Sequence, residues 1–286
     1  MKLYLREDLQ KAWQGEDPFD VVQRLQGEVF REVKDRRTLR FELAGKSYFL
    51  KLHRGVGWKE ILKNCLQFNR PILGAAQEYQ AVLRLQQLHV ETMTVAAFGE
   101  RGCNPARRLS FIVTEDLVGT ESLEDYCRDW LQRPPQVRFK RLLIERIASM
   151  SRVLHGNGLN HRDYYICHFH LDVRCLPETG PICGEHIHLH LIDLHRMQQR
   201  KNMPVRWAVK DIGALYFSAM EIGLTKRDIL RFMRSYMGRS LRETVLNDKA
   251  FWQAVNQRAQ QLYAKGVRKG IVGQTASAQG VDHGVE

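Results

Sequence analysis

From residue 28 onward, hydrophobic and polar positions alternate in short runs: Val29-Phe30-Arg31-Glu32-Val33, Thr38-Leu39-Arg40-Phe41-Glu42-Leu43 and Ser47-Tyr48-Phe49-Leu50-Lys51-Leu52. This period of two, rich in β-branched and aromatic side chains, predicts three antiparallel strands, with turns at Lys34-Asp35-Arg36-Arg37 and Ala44-Gly45-Lys46. Ahead of them, Asp17-Pro18 reads as a helix N-cap with proline in the first turn, opening a short helix through Gln26. Behind them two helices are expected, Trp58 to Phe68 and Ala75 to Leu88. Met93 to Gly99 and Leu109 to Thr114 then read as two further strands and complete a five-stranded sheet.

Glu115-Asp116-Leu117-Val118-Gly119 breaks the pattern and marks a domain boundary. Beyond it the chain is mostly helical: Ser122 to Leu131, Val137 to Gly156, Val205 to Ile222, Lys226 to Met237 and Asp248 to Lys265. Thr225 with Asp228 forms a capping box and Leu224 with Ile229 a hydrophobic staple. Two alternating segments interrupt the helices, Cys167 to Val173 and His186 to Leu194. The class is α+β: residues 1–116 form a β-rich lobe, 117–269 a mainly helical lobe, and 270–286 a tail expected to be disordered.

Composition changes this picture in one respect. The 286 residues are 44% hydrophobic and 27% charged, ordinary for a soluble globular protein, yet the net charge is +12. That points to polyanionic partners: nucleic acid, an anionic membrane face, an acidic protein or a phosphorylated substrate. No apolar run is long enough to span a membrane, and the acidic N-terminus lacks the apolar core of a secretory signal. The expected compartment is the cytoplasm, where the six scattered cysteines stay reduced.

The candidate chemistry sits between Leu159 and Arg196. A short apolar segment delivers Asp163 on a tight His161-Arg162-Asp163 loop, and the second alternating segment delivers Asp193. Protein kinases place their catalytic loop and metal-binding Asp in this order, His-Arg-Asp before a strand pair that ends in Asp. One Asp can accept the proton of an acceptor hydroxyl, and the other can hold Mg²⁺ on nucleotide phosphates. Upstream, Lys51 lies in the third strand among apolar neighbours, where an ammonium needs a partner or a phosphate. Glu78, beside the apolar stripe of its helix, is a carboxylate that could reach it. Singly, each of these charges also reads as a solvated surface residue. Two departures from a generic protein kinase stand out. The basic 34–37 turn replaces a Gly-x-Gly-x-x-Gly loop, and His168 occupies the place of the metal-binding Asn. An imidazole can ligate a divalent metal or hydrogen-bond phosphate.

Other readings remain open on the residues alone. Seven of the eleven histidines lie between 161 and 195, with Cys167, Cys175 and Cys183, so a zinc site is conceivable. Against it, His186, His188 and His190 alternate with apolar residues, and no Cys-x-x-Cys or His-Glu-x-x-His spacing occurs. A nucleic-acid-binding module rests on charge alone, without aromatic and basic residues interleaved in a stacking motif. The basic C-terminal helix, Gln257 to Lys269, is either a solvated face or a seat on an anionic membrane.

Several blocks carry a more specific resemblance: Asp17-Pro18-Phe19, Leu25 to Glu32, Arg36 to Arg40, Gly45 to Lys51, Phe111 to Leu117 and Ser122 to Cys127. In the second half they are Asn160 to Asp163, Tyr165 to Phe169, Ile192 to Arg196 and Lys210 to Ser218. Running from about residue 17 to 240, they resemble the lipopolysaccharide core heptose(I) kinase family (WaaP/RfaP). Tyr164 departs from the family's frequent Cys, and the C-terminal helix and tail diverge. The resemblance implies a two-lobed protein-kinase-like fold and ATP-dependent phosphorylation of the first heptose of the inner core. Kinases of another core sugar, Kdo or the second heptose, or of protein tyrosine are the alternatives within it. The implied acceptor is heptosylated Kdo-lipid A at the cytoplasmic face of the inner membrane, met by a peripheral protein and not by nucleic acid. An acidic acyl carrier protein is a further partner suggested by charge and composition. Residue by residue, Asp163 would serve as base with His161 and Arg162 on its loop. Asp193 would bind Mg²⁺, with His168 as second ligand. Lys51 would pair with the phosphates of ATP and with Glu78. Glu115 to Leu117 would contact adenine through backbone groups, and Asp211 would brace the catalytic loop.

Overall fold

The computed structural model describes residues 1–33, 35–55, 57–58 and 74–270. Most of the expected helix Trp58 to Phe68 and the tail beyond Gly270 lie outside the described residues. The chain divides into two compact units, Met1–Glu121 with His168–Gln199, and Ser122–Cys167 with 200–286. The 168–199 segment thus belongs with the β-rich unit, whereas the sequence reading divides the chain once, between residues 116 and 117.

The β-rich unit is built on a six-stranded antiparallel sheet: β1 (Lys2–Leu5), β2 (Glu28–Val33), β3 (Arg36–Leu43), β4 (Lys46–His53), β5 (Val95–Arg101) and β6 (Leu109–Glu115). Their spatial order is β1-β5-β6-β4-β3-β2. Five of these were expected, and β1 corrects the count. It is a four-residue edge strand, largely exposed, whose brief Lys-Leu-Tyr-Leu alternation gains its meaning only by pairing with β5.

Alternation along β4 separates two surfaces. Tyr48, Leu50 and Leu52, with Leu39 and Phe41 of β3, face a core completed by helices α1 (Glu7–Ala12) and α2 (Pro18–Arg24) through Leu9, Trp13, Phe19 and Val22. The Asp17 side chain caps α2, accepting from the Phe19 N–H at 2.9 Å, as the Asp-Pro pair foretold. Phe49, Lys51 and His53 face the other way. Helix α3 (Ala76–Gln87) packs on this second surface, with Tyr79 stacked on Phe98 at 4.2 Å.

The hairpin in this unit is shorter than expected, Phe169–Asp172 against Leu189–Leu191, because short 3₁₀ turns at Ile166–His168 and Gly184–His186 take the flanking residues. It is pinned from outside its own ladder. The Glu91 carboxylate accepts from the Leu189 N–H at 2.9 Å, and the Thr92 hydroxyl donates to the Leu191 carbonyl at 2.6 Å.

The second unit is helical: α4 (Leu123–Tyr126), α5 (Val137–Gly156), α6 (Val205–Ser218), α7 (Lys226–Met237), α8 (Leu241–Asn247) and α9 (Lys249–Arg268). The capping box forms, with the Asp228 N–H on the Thr225 hydroxyl at 3.2 Å and the Thr225 N–H on the Asp228 carboxylate at 3.0 Å. Helices α5, α6, α7 and α9 surround an apolar cavity of about 340 Å³, walled by residues including Leu143, Ile147, Ile212 and Trp252.

Candidate active site

In the β-rich unit the expected residues meet. Glu78 is buried, and its Oε1 accepts from the Lys51 ammonium at 2.6 Å. Lys51 lies 3.8 Å from Asp193 Oδ1, and His168 Nε2 lies 3.6 Å from Asp193 Oδ2. Four residues far apart in sequence therefore share one cluster. Burial opposes the charge on Lys51, but the carboxylates of Glu78 and Asp193 outweigh it and hold the ammonium above its usual range. Burial likewise opposes the Asp193 anion. The hydrogen bond from His195 and the charges of Lys51, His195 and His168 prevail and keep Asp193 ionised well below the ordinary carboxylate range. His195 Nδ1 is thus a site residue that sequence reasoning missed. Its signal was its place two residues after the Asp.

Asp193 holds φ 58°, and Arg162, on the His161-Arg162-Asp163 loop, φ 77°. Left-handed backbone is costly for non-glycine residues and persists where surroundings enforce it. For Arg162 the enforcing group is visible. Asp211 of α6 is buried, and its carboxylate accepts from the His161 N–H at 2.6 Å and from the Arg162 N–H at 3.0 Å. Asp211 is also 3.5 Å from His155 Nε2, and His155 Nδ1 lies 2.7 Å from the Tyr236 hydroxyl. A proton on Nε2 makes His155 a donor to the carboxylate and an acceptor from Tyr236. The chain of bonds Tyr236, His155, Asp211 and the loop backbone fixes where Asp163 begins. Beside it Tyr164 is fully buried, its hydroxyl 2.8 Å from Ser151 Oγ, so the aromatic ring standing in place of a smaller residue is packed and hydrogen-bonded.

At the expected hinge, the Glu115 N–H donates to Thr94 and its carboxylate pairs with Arg6 at 2.8 Å. The Leu117 carbonyl accepts from the Thr120 N–H at 3.2 Å and hydroxyl at 2.8 Å. Of these residues' polar groups, the Leu117 N–H meets no acceptor among the described residues.

The basic turn that replaces a glycine loop carries Arg36 to the same cluster. Arg36 pairs with His53 and Thr38 with Lys51 across β3 and β4, so all four share one face of the sheet. Burial, followed by the like charge of Arg31, pushes the Arg36 guanidinium down, while Glu78 and Asp193 favour it. No group of three or more histidine, cysteine or acidic side chains with metal-site spacing occurs among the described residues.

A family profile described as "Lipopolysaccharide kinase (Kdo/WaaP) family" matches residues 20–236. The chain belongs to this family. It is 51% identical over 267 residues to the lipopolysaccharide core heptose(I) kinase WaaP of Escherichia coli, covering 93% of this chain and 99% of that protein. It is 49% identical over 270 residues to the Pseudomonas aeruginosa protein of the same name, covering 94% and 99%. A solved structure titled "WaaP in complex with acyl carrier protein" superposes with a TM-score of 0.77 at 46% identity, covering 92% of this chain and 100% of that one. The kinase-like α+β fold and the assignment as a phosphotransferase acting on an alcohol group follow from these likenesses.

Proposed function

We propose that this protein transfers the γ-phosphate of ATP to a hydroxyl of the first heptose of the lipopolysaccharide inner core. The single observation that supports the chemistry is the Lys51, Glu78, Asp193 and His168 cluster, which sets an ammonium suited to phosphate beside a carboxylate suited to a metal ion. The relatives' names supply the acceptor.

Asp193 fits Mg²⁺ in kind, while the His168 imidazole, a ligand better matched to softer divalent metals, would be a secondary contact. This ion keeps most of its waters and takes one or two protein carboxylates together with substrate phosphates, and Asp193 is held as an anion. Asp193 and His168 would hold it, and bound there it would neutralise charge on the phosphate oxygens. Lys51, kept charged and oriented by Glu78, binds α- and β-phosphates. Arg36 adds a guanidinium where other kinases use backbone N–H groups. The Leu117 N–H is open to adenine. In the helical unit, Asp163 accepts the proton of the heptose hydroxyl, on a loop that Asp211 holds in place. Phosphoryl transfer asks little more of a protein than positioning and charge neutralisation.

The second reading concerns the cavity of the helical unit. At about 340 Å³ and almost wholly apolar, it falls within the size of small-molecule sites and suits an acyl chain. The acyl carrier protein named with the solved relative gives such a chain a donor. Native mass spectrometry of the purified protein tests this, and a bound acyl mass absent from every preparation would remove it. The net charge of +12, the basic end of α9 at Lys265 and Arg268, and the finding that no helix among the described residues could cross a membrane support a peripheral seat at the inner membrane. Phosphorus NMR of an acceptor incubated with the enzyme, ATP and Mg²⁺ tests the main reading. Phosphate on the first heptose is expected. Phosphate on Kdo, on the second heptose or on tyrosine would reassign the acceptor.

A further inference from the structure

Four cations surround one indole in the helical unit. Lys210 Nζ lies 4.4 Å from the centroid of the Trp207 ring, and the guanidinium carbons of Arg200, Arg206 and Arg162 lie at 4.9, 5.6 and 5.8 Å. A single cation over an aromatic face is common, and four are not explained by its quadrupole, because their mutual repulsion grows with each addition. The location adds to the cost. Arg206 and Trp207 occupy the first turn of α6, the positive end of its dipole, where acidic residues are favoured and none is present, and Lys210 follows one turn after Arg206. Neither Arg206 nor Lys210 has a carboxylate partner within 4 Å among the described residues. Burial, then the charges of Arg258, Arg162 and Arg206, push the Lys210 ammonium below its usual range. The Trp207 Nε1–H is buried with no acceptor among the described residues.

The cluster is joined to the catalytic loop. Trp207 and Asp211 are one turn apart on the same face of α6. Asp211 clamps the backbone of Arg162, and Trp207 lies under its guanidinium. Asp163 is the next residue. An anion held by these cations therefore sits beside the base.

We propose that the Arg162, Arg200, Arg206 and Lys210 cluster around Trp207 is an acceptor-recognition site for an acidic group, a carboxylate or phosphate of an anionic saccharide, which orients the neighbouring hydroxyl toward Asp163. This rests on Asp163 being the base of a sugar kinase. Bidentate guanidinium contacts suit either oxyanion, and the site explains why so much positive charge is gathered where a helix disfavours it.

The test uses Arg206→Ala, Lys210→Ala and the double variant of the full chain, whose altered side chains are exposed. Acceptor binding is titrated without ATP, and KM values for acceptor and ATP are measured separately. The double variant is expected to weaken the acidic acceptor about 10- to 100-fold, as loss of charge-assisted bonds would, with the KM for ATP unchanged. An acceptor with esterified carboxylates, or one with phosphates removed, should abolish the difference between wild type and variant, and whichever does so names the source. Equal losses on acidic and neutral acceptors, or no loss on either, would overturn the site. So would a loss confined to acyl carrier protein or anionic vesicles, which would make the patch a docking surface. Wild type that binds the acidic saccharide but transfers no phosphate would overturn the kinase reading while leaving the anion site standing.

Discussion

Replacing Asp211 by Ala isolates the brace from the chemistry. The carboxylate is about 1% exposed and receives two backbone donors, at 2.6 and 3.0 Å, so its loss strands both. A hydrogen bond to a charged group contributes about 1.5–3 kcal/mol, and an orphaned buried donor keeps its desolvation cost. The two bonds are not additive, and roughly 3–5 kcal/mol is the expected destabilisation. For a chain of this size that lowers Tm by roughly 10 °C. The second consequence is kinetic. Arg162 holds φ 77° with its N–H anchored on Asp211, and the released loop is expected to relax toward ordinary backbone and carry Asp163 away. A displacement of about 1 Å at a reacting group costs on the order of 100-fold in rate. Asp211→Asn separates the effects, since the amide oxygen still serves one donor while its NH₂ opposes the other. It should melt between wild type and the alanine variant. The assay is a thermal melt run beside a phosphate-transfer assay. An alanine variant that melts within a degree of wild type and keeps most of its activity would refute the reasoning.

Three other outcomes are expected. His53 is 3% exposed, and burial with the nearby charges of Arg36, Lys51 and His195 pushes its pKa down to about 3. The unfolded chain therefore binds a proton that the fold refuses between about pH 6.5 and 3, and stability should fall by about 1.4 kcal/mol per pH unit on acidification through that window. His53→Gln should flatten the slope, and an unchanged slope in urea titrations at several pH values would count against it. Asp193→Asn removes the anion opposite Lys51 and His168, so half-saturation by Mg²⁺ should rise at least about tenfold with the melt little changed, and an unaltered Mg²⁺ dependence would displace Asp193 from that role. Ile212→Trp places a bulky ring at the wall of the apolar cavity and should exclude an acyl chain detected by native mass spectrometry. Persistent acyl mass would show that the cavity is not its seat.

Local signals were the legible ones. The Thr225 and Asp228 cap, the bounds of α5 at Val137 and Gly156, and the alternation of β3 and β4 all depend on neighbours within a few residues. The Lys51 and Glu78 pair was readable for another reason. Its members lie 27 residues apart, but the order strand Lys, helix Glu, His-Arg-Asp, hairpin Asp is itself a pattern. Asp211 was reached only through the family resemblance, since a lone Asp on a helix carries no such pattern. Strand β1 was missed because four residues at an edge carry too little alternation. His195 gave only its spacing from Asp193. The Trp207 cluster could not be seen, because Arg162 and Arg200 come from segments separate from the α6 residues Arg206 and Lys210, and each alone reads as a surface charge. Nor could the cavity, since an amphipathic stripe looks the same whether its partners close over it or leave a void.

The most direct measurement is transfer of labelled phosphate from ATP to heptosylated, unphosphorylated inner-core acceptor by wild type and Asp163→Ala, both shown to be folded. The account predicts label on the first heptose with wild type and its disappearance in the variant. Label appearing at a near wild-type rate with Asp163→Ala, or on no saccharide with either protein, would contradict it.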